Sequence, residues 1–84
     1  MEIMGQARDA MRANDFDRCV TLARDAQRAG APSAALRIEG DCLRRGGHNA
    51  EALQAYQRFC RVAPDHPAIS EVRAMADSLG GTCP

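Results

Sequence analysis

A chain of 84 residues, 45% of them apolar, is long enough for one small domain and no more. Eleven basic and eleven acidic residues cancel, which argues against a general nucleic-acid binder. No apolar run approaches the roughly 20 residues that cross a bilayer, so neither nucleic acid nor membrane is an expected partner.

Few residues are β-branched and none alternate with polar ones, so the expected class is all-α. Ile3, Ala7, Ala10 and Met11 recur on one face and predict a first helix over 2–13. Asn14-Asp15 breaks it and offers an N-cap to a second helix over 15–29, whose face is Phe16, Cys19, Val20, Ala23 and Ala26. Gly30 stops that helix and Pro32 prevents its continuation. Ser33 is placed to cap a third helix over 34–45, ended by Gly46-Gly47. Asn49 is placed to cap a fourth over 50–62, and Asp65 a fifth over 66–79 with Pro67 in its first turn. Ile69, Val72, Ala76 and Leu79 form the fifth face, and Gly80-Gly81 ends it.

Cys19, Cys42, Cys60 and Cys83 are separated by 23, 18 and 23 residues, which fits no common zinc spacing. Three of them fall on helical faces where a small apolar residue would serve. The expectation is therefore buried free thiols in a reducing compartment, with Cys83 exposed on a flexible tail over 80–84. The opening Met1-Glu2-Ile3-Met4 carries no leader pattern, and the expected location is cytoplasmic. All eleven basic residues are arginine, which suits a GC-rich bacterial genome and also bidentate recognition of carboxylates.

The helical pattern repeats. Laying Cys19 on Ala52 gives an offset of 33 residues and puts Ala26 on Phe59 and Ala7 on Gly40. In 33–64, Gly40 stands 12 residues before Ala52, 16 before Tyr56 and 24 before Pro64. With Leu36 and Leu43 on the first helix of the unit, this stretch resembles the tetratricopeptide repeat family. Leu36 stands where that family favours tryptophan, Glu39 where an apolar residue is frequent, and Ala7 where the earlier unit would have glycine. The resemblance implies a right-handed α-hairpin solenoid: one repeat over 2–32, a second over 33–64, and a capping helix over 65–79.

It also implies that the first helix of each unit lines a concave surface. Met4, Arg8, Met11 and Arg12 project there from the first helix, Arg37, Asp41, Arg44 and Arg45 from the third, and Glu71 and Met75 from the fifth. Arg37, Asp41, Arg44 and Arg45 follow i, i+4, i+7 and i+8 spacing and so share a face. An arginine-lined groove for an acidic peptide or partner protein is the sharper reading. The plainer one is a solvated face, with Arg37 paired to Asp41 and Arg8 to Glu2 or Asp15. No enzyme is expected, and no metal or cofactor: His48 and His66 sit at opposite ends of the fourth helix, and neither has an evident nucleophile beside it. The expected function is protein–protein interaction, in a recruitment or regulatory segment of a bacterial signalling protein such as a serine/threonine kinase. The alternative is a structural module that self-associates as a homodimer or packs inside a parent protein. In that case Met4, Met11 and Met75 would meet the partner helix.

Overall fold

The computed structural model describes residues 3–30 and 32–84, which form five helices. They are α1 (Ile3–Arg12), α2 (Phe16–Arg28), α3 (Pro32–Arg45), α4 (Asn49–Val62) and α5 (Ile69–Ser78), with no strand among the described residues. The all-α class and the number of helices match the sequence reading. Each helix packs against the next, and α1 also touches α3. Cys19 near the start of α2 is bonded to Cys42 near the end of α3, while Gln27 at the other end of α2 meets Glu39. Those cross-links run α2 and α3 antiparallel. The layout is compatible with two helical hairpins, α1–α2 and α3–α4, followed by α5.

Small side chains set the packing. Ala7, Ala10, Ala23, Ala26, Ala52 and Ala76 are all buried, so the core is filled by close helix approach around a few large residues. Tyr56 and Phe59 are the largest of these and are wholly buried. Gly40 explains how Tyr56 fits: a methyl group at that position would lie 2.6 Å from Tyr56 Cε1. The α3–α4 approach therefore depends on the missing side chain. Gly47 ends the α3 turn at φ 86°, a left-handed conformation that glycine adopts without steric cost.

Glu39, which stands where the repeat family that the sequence resembles frequently has an apolar residue, is 4% exposed. Its carboxylate accepts from Gln27 Nε2 at 2.6 Å and lies 3.6 Å from Arg24 Nε, so the buried charge is matched.

Helix ends depart from expectation at three points. Asp15 does cap α2, its side chain accepting from the Arg18 N–H. Ser33, however, lies inside the first turn of α3, which begins at Pro32, a residue suited to a helix start. Asn49 is the first residue of α4, and His48 precedes it without a side-chain cap. The fifth helix starts at Ile69 rather than 66, because His66 Nδ1 accepts from the Ala68 N–H at 3.0 Å and holds residues 66–68 in a turn.

The cysteine and tail expectations are overturned. Cys19–Cys42 and Cys60–Cys83 are disulfides, with Cα separations of 6.2 and 5.7 Å, and no cysteine among the described residues is free. Helical periodicity identified three of the positions as interior, but it could not show that the interior positions of different helices face one another. The tail over 80–84 is accordingly fastened to α4 instead of hanging free. Gly81 lies against Leu53, Gln57 Nε2 donates to Thr82 O at 3.0 Å, and Cys83 closes the bridge to Cys60.

Candidate functional site

A groove of about 310 Å³ lies where α1 crosses α3. Arg8 and Met11 line it from α1, and Ala34, Arg37, Ile38 and Asp41 from α3. The α3 residues follow i, i+3, i+4 and i+7, the stripe that a straight helix presents to one side. Phe59 and His66 complete the lining. Their rings meet edge to face with centroids 5.1 Å apart. The lining thus combines four apolar residues with two guanidinium groups, one carboxylate and one imidazole.

The charges differ in how far they are already engaged. Arg8 is exposed, and among the described residues it has no ion-pair partner. Asp15, one of its expected partners, caps α2 instead; Glu2, the other, lies outside the described residues. Arg37 Nη2 donates to Glu71 Oε2 at 2.5 Å, which ties α3 to α5. The expected Arg37–Asp41 pair does not form.

Asp41 is held from behind. Tyr56 Oη donates to Asp41 Oδ1 at 2.5 Å and accepts from Arg44 Nε at 3.3 Å, while Arg44 Nη2 stands 4.0 Å from Asp41. Burial pushes the Tyr56 hydroxyl up to about 12; its hydrogen bond to Asp41 adds to the rise, and the bond from Arg44 opposes it. Arg44 is itself raised, chiefly by its hydrogen bond to Tyr56. The three side chains form one network in which the ionised carboxylate and guanidinium both bind the neutral phenol.

Of the ten residues projected onto a concave surface, Arg8, Met11, Arg37 and Asp41 meet in this groove. Arg44 and Glu71 act one step back, holding Asp41 and Arg37. Arg12 is exposed and paired with Asp9 at 3.7 Å, and Arg45 is exposed outside the lining. Met75 packs against the core from α5, also outside the groove. Met4 corrects the projection: it is 9% exposed and belongs to the core. Ala34, Ile38, Phe59 and His66 were not foreseen as lining. Ala34 and Ile38 share the stripe of Arg37 and Asp41 and were legible from that spacing. Phe59 read only as interior and His66 only as a turn residue.

A second cavity, about 290 Å³, is lined by Asp17, Val20, Thr21, Arg24, Leu43, His48 and Glu51. Arg24 Nη2 lies 3.9 Å from Glu51 there, and the described residues hold no cluster of metal-ligand type. No described helix is long and apolar enough to cross a membrane. Compared with known proteins, the chain matches no family model, no curated protein and no solved structure.

Proposed function

We infer that the chain is a protein–protein interaction module of tetratricopeptide-like, right-handed repeat architecture, which binds an acidic segment of a partner protein between α1 and α3. The observation that carries this reading is the groove itself: Arg8 and Arg37 share its lining with Met11, Ala34, Ile38 and Phe59, and with Asp41 and His66. Guanidinium groups bind carboxylates through paired, charge-assisted hydrogen bonds, and the apolar lining suits a neighbouring side chain of the same segment. Because Met4 is in the core, the methionine surface that self-association would use is reduced, and this favours a peptide partner over a second copy.

The reading assigns no catalytic role. His48 and His66 flank α4 at its two ends, and His66 is already engaged with Ala68 N–H and Phe59. A recruitment segment of a bacterial signalling protein remains the proposed setting. The two cystines support an oxidising compartment in preference to the cytoplasm, since such bridges persist where thiols are not continually reduced.

The test is fluorescence anisotropy with a labelled pool of decapeptides that combine acidic and apolar residues, against a pool with lysine in place of the acids. Selective binding of the acidic pool, weakened by Arg8→Glu and Arg37→Glu together, is the expected result. Equal binding of the two pools, or an unchanged affinity in the double variant, removes the groove as the site.

A further inference from the structure

Only one of the two cystines includes a residue that is not buried. Cys19 and Cys42 are both wholly buried between α2 and α3. Cys60 is 2% exposed, but its partner Cys83 is only partly buried and stands in the non-helical tail. Apart from the bridge, the tail is held by the packing of Cys83 against the core, its sulfur 3.8 Å from Tyr56 O, and by a few local contacts. The Gly81 N–H donates to Ala76 O at 3.1 Å, Gln57 Nε2 donates to Thr82 O at 3.0 Å, and Gly81 rests on Leu53. Surface hydrogen bonds of this kind compete directly with water. The α5 helix is anchored separately, through buried Val72 and Ala76.

We propose that Cys60–Cys83 is a thiol–disulfide exchange site for a dithiol reductant, and that its opening frees residues 80–84 from α4 while Cys19–Cys42 keeps the frame closed. The reductant's thiolate attacks Cys83 Sγ, the sulfur of the less buried residue, and forms a mixed disulfide there. The Cys60–Cys83 bond breaks with its electron pair on Cys60, which then takes up a proton. The second thiol of the reductant attacks the mixed disulfide, releases Cys83 as a thiolate that is also protonated, and leaves the reductant as a cyclic disulfide. Two electrons and two protons pass to the protein, and the reverse exchange recloses the bridge. Release uncovers the α4 flank at Leu53 and Gln57, a surface separate from the α1–α3 groove. The proposal does not depend on what that groove binds.

The whole chain is treated with stepped dithiothreitol, quenched with iodoacetamide and mapped by mass spectrometry, with hydrogen exchange measured alongside. Exchange rates follow sulfur access, so Cys60 and Cys83 are expected to be alkylated at least about tenfold faster than Cys19 and Cys42. In the half-reduced protein, amide protection is lost at Gly81, the tail amide that donates to Ala76 O, and retained in α2 and α3. Cys83→Ser with Cys19–Cys42 intact reproduces that pattern without reductant. Four cysteines reacting together, Cys19 and Cys42 reacting first, or a reduced Cys60–Cys83 pair with an undisturbed tail would overturn the proposal. So would a Cys83→Ser chain that fails to fold, because the frame must survive with the bridge open.

Discussion

Tyr56 Oη donates to Asp41 Oδ1 at 2.5 Å, from a ring wholly buried under Gly40. One side chain thereby links the core to the groove: the ring sets the α3–α4 approach, and its hydroxyl fixes the carboxylate that lines the site. The rotamer of Asp41 is decided from inside the protein, before any ligand arrives.

That link gives the chain a simple alkaline transition. It contains one tyrosine, no lysine and, in the described residues, no free thiol, so Tyr56 dominates titration between about pH 9 and 12. Its folded value of about 12 lies above the ordinary value of 10.0, so the neutral phenol is the form that folding favours. The stabilisation is complete below pH 10 and is lost as pH rises through 12. A two-unit rise corresponds to about 2–3 kcal/mol. Phenolate absorbance at about 295 nm should therefore appear near pH 12 and coincide with loss of helical circular dichroism. A Tyr56→Phe chain should be less stable at neutral pH and lose the steep alkaline step. A midpoint near 10 with intact helices would mean that the phenol is not held as described.

Gly40→Ala tests the helix approach. The added methyl meets Tyr56 Cε1 at 2.6 Å and Cδ1 at 2.8 Å, and the ring has no free space to retreat into because its hydroxyl is tethered at both sides. Overpacking of this kind costs about 1–3 kcal/mol, partly offset by the roughly 1 kcal/mol that alanine gains over glycine in a helix. The urea midpoint should fall, with Asp41 and Arg44 reporting the disturbance as a lowered Tyr56 titration. Pairing Gly40→Ala with Tyr56→Leu should recover part of the loss, as expected for residues in direct contact.

How much of this was legible can be seen at Gly40 and Cys42, two residues apart. The spacing of Gly40 from Tyr56 was written in the chain, and the two do meet. The pattern of Val72 and Ala76 likewise placed α5 on the core. Cys42 carried no such signal, because its partner lies on another helix and periodicity orders residues only along one helix at a time. The same limit hid the Arg37–Glu71 pair, which replaced the local Arg37–Asp41 pair that i, i+4 spacing favoured. In the groove, the faces of α1 and α3 were readable, whereas Phe59 arrives from α4 and His66 from the turn after it, and both depend on where the chain folds back.

The groove arginines should respond unequally to substitution. Arg37 is already neutralised by Glu71, so Glu71→Ala should tighten binding of the acidic peptide pool, by up to about fivefold if the surface pair is worth about 0.2–1 kcal/mol. Arg8→Glu should weaken it by about fivefold or more at low salt, with the difference shrinking at about 0.5 M salt as screening shortens the range of the charge. Arg12→Glu is the control: Arg12 is exposed and paired with Asp9 away from the lining, so binding should stay within about twofold. A ranking in which Arg12 outweighs Arg8 would move the site off the α1–α3 crossing.

The buried cystine should matter most to stability. Cys19 and Cys42 are 23 residues apart, and closing a loop of that length stabilises the fold by about 3 kcal/mol through restriction of the unfolded chain. For an 84-residue domain this is a large share of a total of roughly 5–10 kcal/mol. Cys19→Ala with Cys42→Ala should lower the thermal midpoint by about 12–24 °C, at about 4–8 °C per kcal/mol. The loss should sit in the folded fraction and not in the groove's chemistry, so at low temperature the variant should still bind the acidic pool. Cys60→Ala with Cys83→Ala removes a bridge that closes a loop of the same length, but this bridge fastens a non-helical tail in which Cys83 is only partly buried. Its midpoint should fall less than that of the Cys19–Cys42 variant, although loop length alone predicts equal losses. Differential scanning calorimetry of the two double variants compares them directly. Equal midpoints would show that unfolded-state entropy outweighs the difference in native packing around the two bridges.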